Sequence, residues 1–406
     1  MTVSNKEGIL NKRKAAFSTR NMLVIMVSIL PFVDTLNGFY RNIPISIIYK
    51  FALCIFLFVN CAGKSSSFSK KRFTIIVLSG LYIFLSVGIN LGLGGTMWSV
   101  EFPIKLFSNI VLFYFVEENI RINRLYADDI YSMLNNGSWI FIGCYLIPYV
   151  LGVGNRVYAG DIGYKAFFIA QNELGLLIIV FTFFVTYKLS KKITAKDVVC
   201  LALLFLCGML LNTKTTIAAC IIAIIMWLLP VLKRRNLVTK IATVVVIIVG
   251  FILLRNVLIN SINQAMLRFT TLQTKYYDNS LITSILSGRN YLLKNAWQYL
   301  LSEHTVLRMI IGNGFCAPDL IEMDFFDIFF YLGIIGFIAV VWFVVKQGKK
   351  IARNAKREDK TIKMVSYLVI VLQMVIAGHV LMMSMAGCYF VFFVSFLIYY
   401  NTKLQH

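Results

Sequence analysis

324-DFFDIFFYLGIIGFIAVVWFVVKQGKK-350 opens on Asp324, runs apolar from Phe325 to Val345 with Asp327 the one charge inside, and closes on Lys346, Lys349 and Lys350. At about 1.5 Å of rise per residue, such a run crosses about 30 Å of hydrocarbon as a helix. Runs of the same kind centre on residues 21–36, 43–60, 73–91, 103–117, 138–153, 171–188, 197–212, 215–232, 239–259, 364–382 and 385–402. Together they predict an all-α polytopic membrane protein with about twelve transmembrane helices, residues 1–406 forming a single integral membrane domain.

Charge gives the orientation. The net charge of +22 would point to nucleic acid in a soluble domain, but 59% of the residues are hydrophobic and the mean hydropathy is +0.77. The basic residues cluster in alternate connecting segments: 28 of the 40 lysines and arginines fall on segments that share one side if the N-terminus is cytoplasmic. That is the positive-inside bias, so both termini are expected in the cytoplasm and no nucleic acid is expected as a partner. The basic start (Lys12, Arg13, Lys14, Arg20) lacks a following small-residue cleavage site and reads as the lead-in to an uncleaved first helix. Eight cysteines lie scattered with no CxxC or Cys/His spacing, so neither a zinc site nor a disulfide framework is expected.

One long stretch fits no span. Residues 261–323, between the ninth and tenth spans, form a large extracytoplasmic loop on this topology. Within it, Tyr291, Leu292, Ala296, Trp297, Leu300 and Leu301 recur at helical spacing in the run from Ser287 to His304, which predicts an amphipathic helix on the outer membrane surface. Ile311-Gly312-Asn313-Gly314-Phe315 reads as a tight turn in which glycine permits positive φ. Gly333 and Gly336 read as points where helices approach closely.

Ionisable residues at membrane depth are costly and mark candidate sites. On this topology they gather at the outer leaflet: Arg156, Lys165 and Glu173 around the start of the sixth span, Lys214 at the turn between the seventh and eighth, Arg255 at the end of the ninth, and His379 at the end of the eleventh. Snorkelling to the headgroups accounts for Lys165 and Arg255 without a function. Glu322, Asp324 and Asp327 open the tenth span. Carboxylates snorkel poorly, so this trio reads either as an acidic first turn favoured by the helix dipole or as a source of a general base. His304 and His379 stand alone, without ligand-type neighbours.

Several motifs fall in a familiar order. Gly160-Asp161-Ile162-Gly163-Tyr164-Lys165-Ala166-Phe167-Phe168 is followed by Gln171-Asn172-Glu173-Leu174-Gly175, the turn Thr213-Lys214-Thr215, Ser287-Gly288-Arg289 with Trp297, the Gly312-x-Gly314 turn, and Glu322-x-Asp324-x-x-Asp327 ahead of Gly333-x-x-Gly336. From about Arg156 to Phe337 this order resembles the O-antigen ligase and polymerase superfamily. The resemblance implies a glycosyltransferase of the bacterial plasma membrane that uses undecaprenyl-diphosphate-linked oligosaccharide at the outer face. It implies Arg156, Lys214, Arg289 and His304 as groups for diphosphate and glycan, with Glu322, Asp324 and Asp327 as catalytic candidates. Family members usually carry arginine where Lys214 stands, and a lysine keeps the charge without the bidentate fork. The ligase branch usually carries a His-Asn pair where Glu322-Met323-Asp324 stands, so the polymerase branch is favoured, for a capsular, exopolysaccharide or O-antigen type glycan.

The donor already carries its leaving group, so no cofactor and no metal are expected, and chain-length regulators, a flippase and membrane lipid are the expected partners. The competing classes are ligase-type transfer to another acceptor, and a lipid-linked-glycan flippase or transporter. Transporter sites lie near the bilayer midplane in repeated halves, and no internal repeat is visible here.

Overall fold

The computed structural model describes residues 19–40, 43–62, 69–92, 98–157, 163–234, 281–302, 306–312, 321–378 and 380–402, with the single positions 255, 259, 263, 267 and 270. The chain folds as α1 (Thr19–Ser28), α2 (Leu30–Phe39), α3 (Ile45–Ala62), α4 (Lys70–Gly92), α5 (Trp98–Arg121) and α6 (Ala127–Val150), followed by a small hairpin of β1 (Asn155–Arg156) and β2 (Tyr164–Ala166). After it come α7 (Gln171–Lys191), α8 (Ala195–Leu211), α9 (Lys214–Arg234), α10 (Leu281–Leu286), α11 (Arg289–Ser302), α12 (Val306–Ile311), α13 (Asp324–Asn354), α14 (Lys360–Ile376) and α15 (Ser384–Tyr399).

Each expected run contains helix except 239–259, which lies outside the described residues apart from positions 255 and 259. Three helical segments, Lys70–Ile89, Gln171–Lys191 and Asp324–Asn354, are by themselves long and apolar enough to cross a membrane, and α1 with α2 makes a fourth when the bent pair counts as one. Ile45–Cys61, Lys214–Leu228 and Ser384–Tyr399 are apolar but shorter. Apart from the hairpin, the described architecture is helical, that of a multi-pass membrane protein. The figure of about twelve spans is an expectation of the sequence.

Local chemistry sets the breaks. Pro31 at the start of α2 lacks an N–H for the helix ladder, and α1 and α2 meet there at 46°. α8 begins where the Thr194 hydroxyl accepts the Asp197 amide, and ends at Asn212, which takes the left-handed conformation that favours Gly and Asn. α13 is not continuous: Gly333 has φ 64° and ψ −169° in the middle of the apolar run. The sequence marks this glycine as a point of close approach, and the approach is that of backbone. A Cβ there would lie 2.2 Å from the carbonyl oxygen of Ile310 at the end of α12. The break frees the Leu332 carbonyl, which accepts the Tyr82 hydroxyl, while the Ser86 hydroxyl donates to the Ile311 carbonyl at 2.8 Å. α4 thus satisfies polar backbone that lipid could not.

α7 and α15 run through the middle of the bundle, buried along nearly their whole length and apolar on all sides. Every ion pair described outside residues 289–322 lies at one end. There Arg20 meets Asp129, Arg72 meets Glu117 and Glu118, Arg121 meets Glu118, Lys188 meets Asp197, Lys191 meets Glu358 and Asp359, and Lys350 meets Glu117. The charged residues of these pairs therefore share an end.

Candidate functional site

At the opposite end the connections converge. α10 and α11 are joined by Ser287 and Gly288, both at positive φ (54° and 83°), and this turn sets Arg289 at the first position of α11 with 8% of its surface exposed. Its Nη2 donates to Glu322 Oε2 at 2.7 Å, and Nη1 lies 3.4 Å from the Leu286 carbonyl oxygen. Its Nε is buried and has no hydrogen-bond partner among the described residues. The Glu322 side chain is 41% exposed, so the carboxylate faces outward while the guanidinium holding it lies within.

Glu322 itself has φ 62°, an uncommon conformation for a residue with a side chain. Backbone held this way costs of order 1–3 kcal/mol and persists only where the surroundings enforce it. Two neighbours do so here. Asp327, 2% exposed, accepts the Ile321 amide with one oxygen at 3.0 Å and the Met323 amide with the other at 2.9 Å, clasping the turn from both sides of Glu322. Gly378, at φ 54°, packs so closely that a Cβ on it would lie 2.4 Å from the Glu322 carbonyl group.

Asp324 is fully buried and accepts the amides of Val380 (2.8 Å) and Leu381 (3.2 Å) with Oδ2. It ties the start of α13 to the connection between α14 and α15. The trio therefore divides: Asp324 and Asp327 hold backbone, and Glu322 alone presents a carboxylate at the surface. The physical reason lies in their spacing. Asp324 and Asp327 share the inward face of the helix, while Glu322 precedes it in a turn.

From the other side, α7 brings Asn172, whose Nδ2 lies 3.5 Å from Glu322 Oε2, and Glu173, which accepts the Ala386 amide at 2.9 Å. Sequence reading places Asn172 in a motif without giving it this contact. A carboxamide directly before Glu173 and three residues before Gly175 has no pattern that distinguishes it from an ordinary cap. Lys214 begins α9, half-buried, beside Thr213, whose hydroxyl bonds that of Thr216 at 2.6 Å. A Cβ on Gly175 would meet Thr216 Oγ1 at 2.7 Å and Gln373 Nε2 at 3.8 Å, so this turn connects through α7 and α14 toward Gly378 and Glu322.

Arg156 is exposed on the hairpin, its guanidinium 5.7 Å from the Tyr164 ring centre. Gly163 packs on the Leu211 carbonyl, which sets the hairpin next to the Lys214 turn. Burial pushes the Tyr164 phenol up to about 12, against the pull of the Arg156 cation. The structure thus joins Arg289 and Glu322 directly and links Lys214 and Arg156 to them through intervening elements. His304 and His379 lie outside the described residues. Among the described residues, no group of three or more His, Cys, Asp or Glu side chains forms a metal-binding cluster.

Beside the pair runs an apolar groove of about 720 Å³ between α11 and α13, lined by Asn290, Leu293, Trp297, Phe329, Phe330 and Phe337 among others. Trp297 stacks on Phe329 with ring centres 6.1 Å apart. The amphipathic helix is therefore Arg289–Ser302, slightly shorter than expected. It buries Ala296 and Leu300 against Ile321, Met323 and Phe330, leaving Trp297 half exposed in the groove.

Residues 269–403 match the family model described as O-antigen ligase like membrane protein. The match takes in Arg289, Glu322 and both buried aspartates, and it extends the resemblance drawn from motifs through α14 and α15. Arg156 and Lys214 lie before it. No curated protein matches the chain.

Proposed function

We propose that the chain is a membrane glycosyltransferase that polymerises glycan repeat units carried on undecaprenyl diphosphate at the outer face of the bacterial plasma membrane. The observation that carries this reading is the pairing of a half-exposed carboxylate with a buried arginine, next in sequence to Asn290, which lines an apolar groove. A polyprenyl-diphosphate donor has the matching parts: a long apolar tail, two phosphates and a sugar. The groove between α11 and α13 suits the tail. Arg289 suits the diphosphate, because its unmet Nε–H is a buried donor that an anionic oxygen would satisfy. Lys214 and Arg156, at the same end, add positive charge along the glycan side.

The reaction then follows from the pair. Diphosphate competes for the guanidinium of Arg289 and loosens its hold on Glu322. The freed carboxylate accepts the proton of the acceptor hydroxyl as that oxygen attacks the anomeric carbon. The bond from anomeric carbon to diphosphate oxygen breaks, and its electron pair leaves on the diphosphate, where Arg289 stabilises the developing charge. In-line attack inverts the anomeric centre. Asp324 and Asp327 act as positioning residues, fixing the turn that carries Glu322. His304 is retained as a substrate-binding candidate from the resemblance.

The family model's own description favours a second reading, ligase-type transfer of a finished glycan to a different acceptor. Purified full-length protein in vesicles, given polyprenyl-diphosphate-linked repeat units, separates the two. A ladder of lengthening products supports polymerisation. A single transfer only when a second acceptor is added supports ligation, and movement of the donor across the bilayer with no new glycosidic bond sinks both in favour of a flippase.

A further inference from the structure

A second site lies at the basic end, remote from Arg289. Between α4, α5 and α13 opens a pocket of about 670 Å³ lined by Lys71, Arg72, Lys346, Lys349, Lys350 and Arg353, with Glu117 the one acid in its wall. Glu117 and its neighbour Glu118 are taken up by Arg72, Arg121 and Lys350. Lys71, Lys346, Lys349 and Arg353 form no ion pair among the described residues, so the pocket keeps a surplus of positive charge. Gln347 lies in the same wall, 2% exposed, with an Oε1 that has no hydrogen-bond partner among the described residues.

The pocket does not end in protein. Ile75, Tyr114 and Trp342 also line an almost wholly apolar cavity of about 120 Å³, which runs between these helices and α15 past Leu106, Ile110, Phe113 and Phe343. Trp342 is 53% exposed at the junction, and the Lys346 ammonium sits 4.6 Å from its ring centre. An amphipathic ring at such a junction marks the level where headgroups meet hydrocarbon. Cations on one side of that level and an apolar slot on the other are the two halves of a phospholipid's own chemistry.

We infer that this pocket binds an anionic diacyl phospholipid of the leaflet facing the basic end, its phosphodiester among Lys71, Lys346, Lys349 and Arg353 and one acyl chain entering the slot behind Trp342. Basic pockets between transmembrane helices recognise anionic headgroups in this way. A headgroup with hydroxyls, such as glycerol, also supplies the donor that Gln347 Oε1 accepts. The site owes nothing to the Arg289–Glu322 pair and stands whether the enzyme polymerises or ligates.

Native mass spectrometry of the full-length protein, titrated with phosphatidylglycerol and with phosphatidylcholine of the same chains, tests it. Phosphatidylglycerol should bind at least tenfold more tightly. The exposed pair Lys349→Gln with Arg353→Gln should weaken it by roughly fivefold for each cation removed, and Lys71→Gln, on a different helix, repeats the charge test should the double variant fail to fold. Ala339→Trp, which fills the apolar slot without changing charge, should weaken the phospholipid as well. Equal binding of both lipids, an unchanged double variant, or full displacement of phosphatidylglycerol by millimolar inorganic phosphate would overturn the assignment; the last outcome would make it a simple phosphate site.

Discussion

The two ends of the bundle handle charge in opposite ways. At the basic end, carboxylates are outnumbered and each of Asp129, Glu117, Glu118, Asp197 and Asp359 is held by one or more cations. Most of these pairs fasten one helix to another, often one distant in sequence, as Arg20 on α1 does to Asp129 on α6. At the other end the acids mostly face backbone amides: Asp327 holds Ile321 and Met323, Asp324 holds Val380 and Leu381, and Glu173 holds Ala386. The single side-chain ion pair described there, Arg289–Glu322, joins no two long helices. Its guanidinium retains an unmet donor and its carboxylate faces outward. The difference teaches that charge at the basic end fixes structure, whereas the far end uses its buried acids to shape backbone and leaves one pair facing outward, the pair on which the proposed function rests.

The hardest test of that contrast removes the pair. Arg289→Ala should lower glycosyl transfer by roughly 10²- to 10³-fold, the range seen when one donor to a developing negative charge is lost. Arg289→Lys should recover part of the rate, since lysine restores charge but not the fork. Transfer assays on protein that melts at the wild-type temperature make the comparison, and full-length product from Arg289→Ala would end the catalytic reading of the pair. Asp327→Asn should act differently. One of its two acceptor oxygens becomes an amide nitrogen, leaving either the Ile321 or the Met323 amide buried without a partner, at about 1–3 kcal/mol. That loss should appear first as a lower midpoint of thermal unfolding.

How much of this was readable beforehand depends on whether the information is local. Helices announce themselves through unbroken apolar length, and α7, α9 and α15 begin within a residue of the expected runs. Arg289 enters through the resemblance, on Ser287-Gly288-Arg289, and the structure sets it against Glu322. The division among Glu322, Asp324 and Asp327 was not readable, since three carboxylates within six residues look alike until the amides of 380 and 381, more than fifty residues on, choose one of them. The break at Gly333 was hidden for the same reason: nothing in Leu332-Gly333-Ile334 foretells that Tyr82 will supply the donor the broken ladder needs. Asp34 and Lys50 are buried within the first apolar runs. Ser46 donates to Asp34 at 2.6 Å and Lys50 reaches the Lys105 carbonyl at 3.4 Å, partners that hydropathy does not register.

Gly378→Ala sharpens the comparison at intermediate size. A methyl group there meets the Glu322 carbonyl at 2.4 Å and places alanine at positive φ, so the turn must shift by a substantial fraction of an ångström. Small misplacement of a reacting group is costly, and transfer should fall by roughly tenfold or more while the helices stay assembled. Activity together with the helical circular dichroism signal reads both. Wild-type activity would mean that the exact position of Glu322 does not matter, and would move the base elsewhere.

The smallest effect belongs to the basic end. Arg20 meets Asp129 through two hydrogen bonds of 2.9 and 2.7 Å and lies 4.3 Å from the Tyr126 ring centre, yet its side chain is 31% exposed. Solvent screens a pair of that kind, so Arg20→Gln should cost no more than about 1 kcal/mol of stability. The loss should shrink further as salt rises, because the Debye length falls to about 3 Å near 1 M. Transfer activity should stay within twofold, since nothing at this end approaches the anomeric carbon. A drop in activity as large as that of Gly378→Ala, with unfolding unchanged, would show that the two ends are coupled through α1 and α6, and the division of labour between them would have to be abandoned.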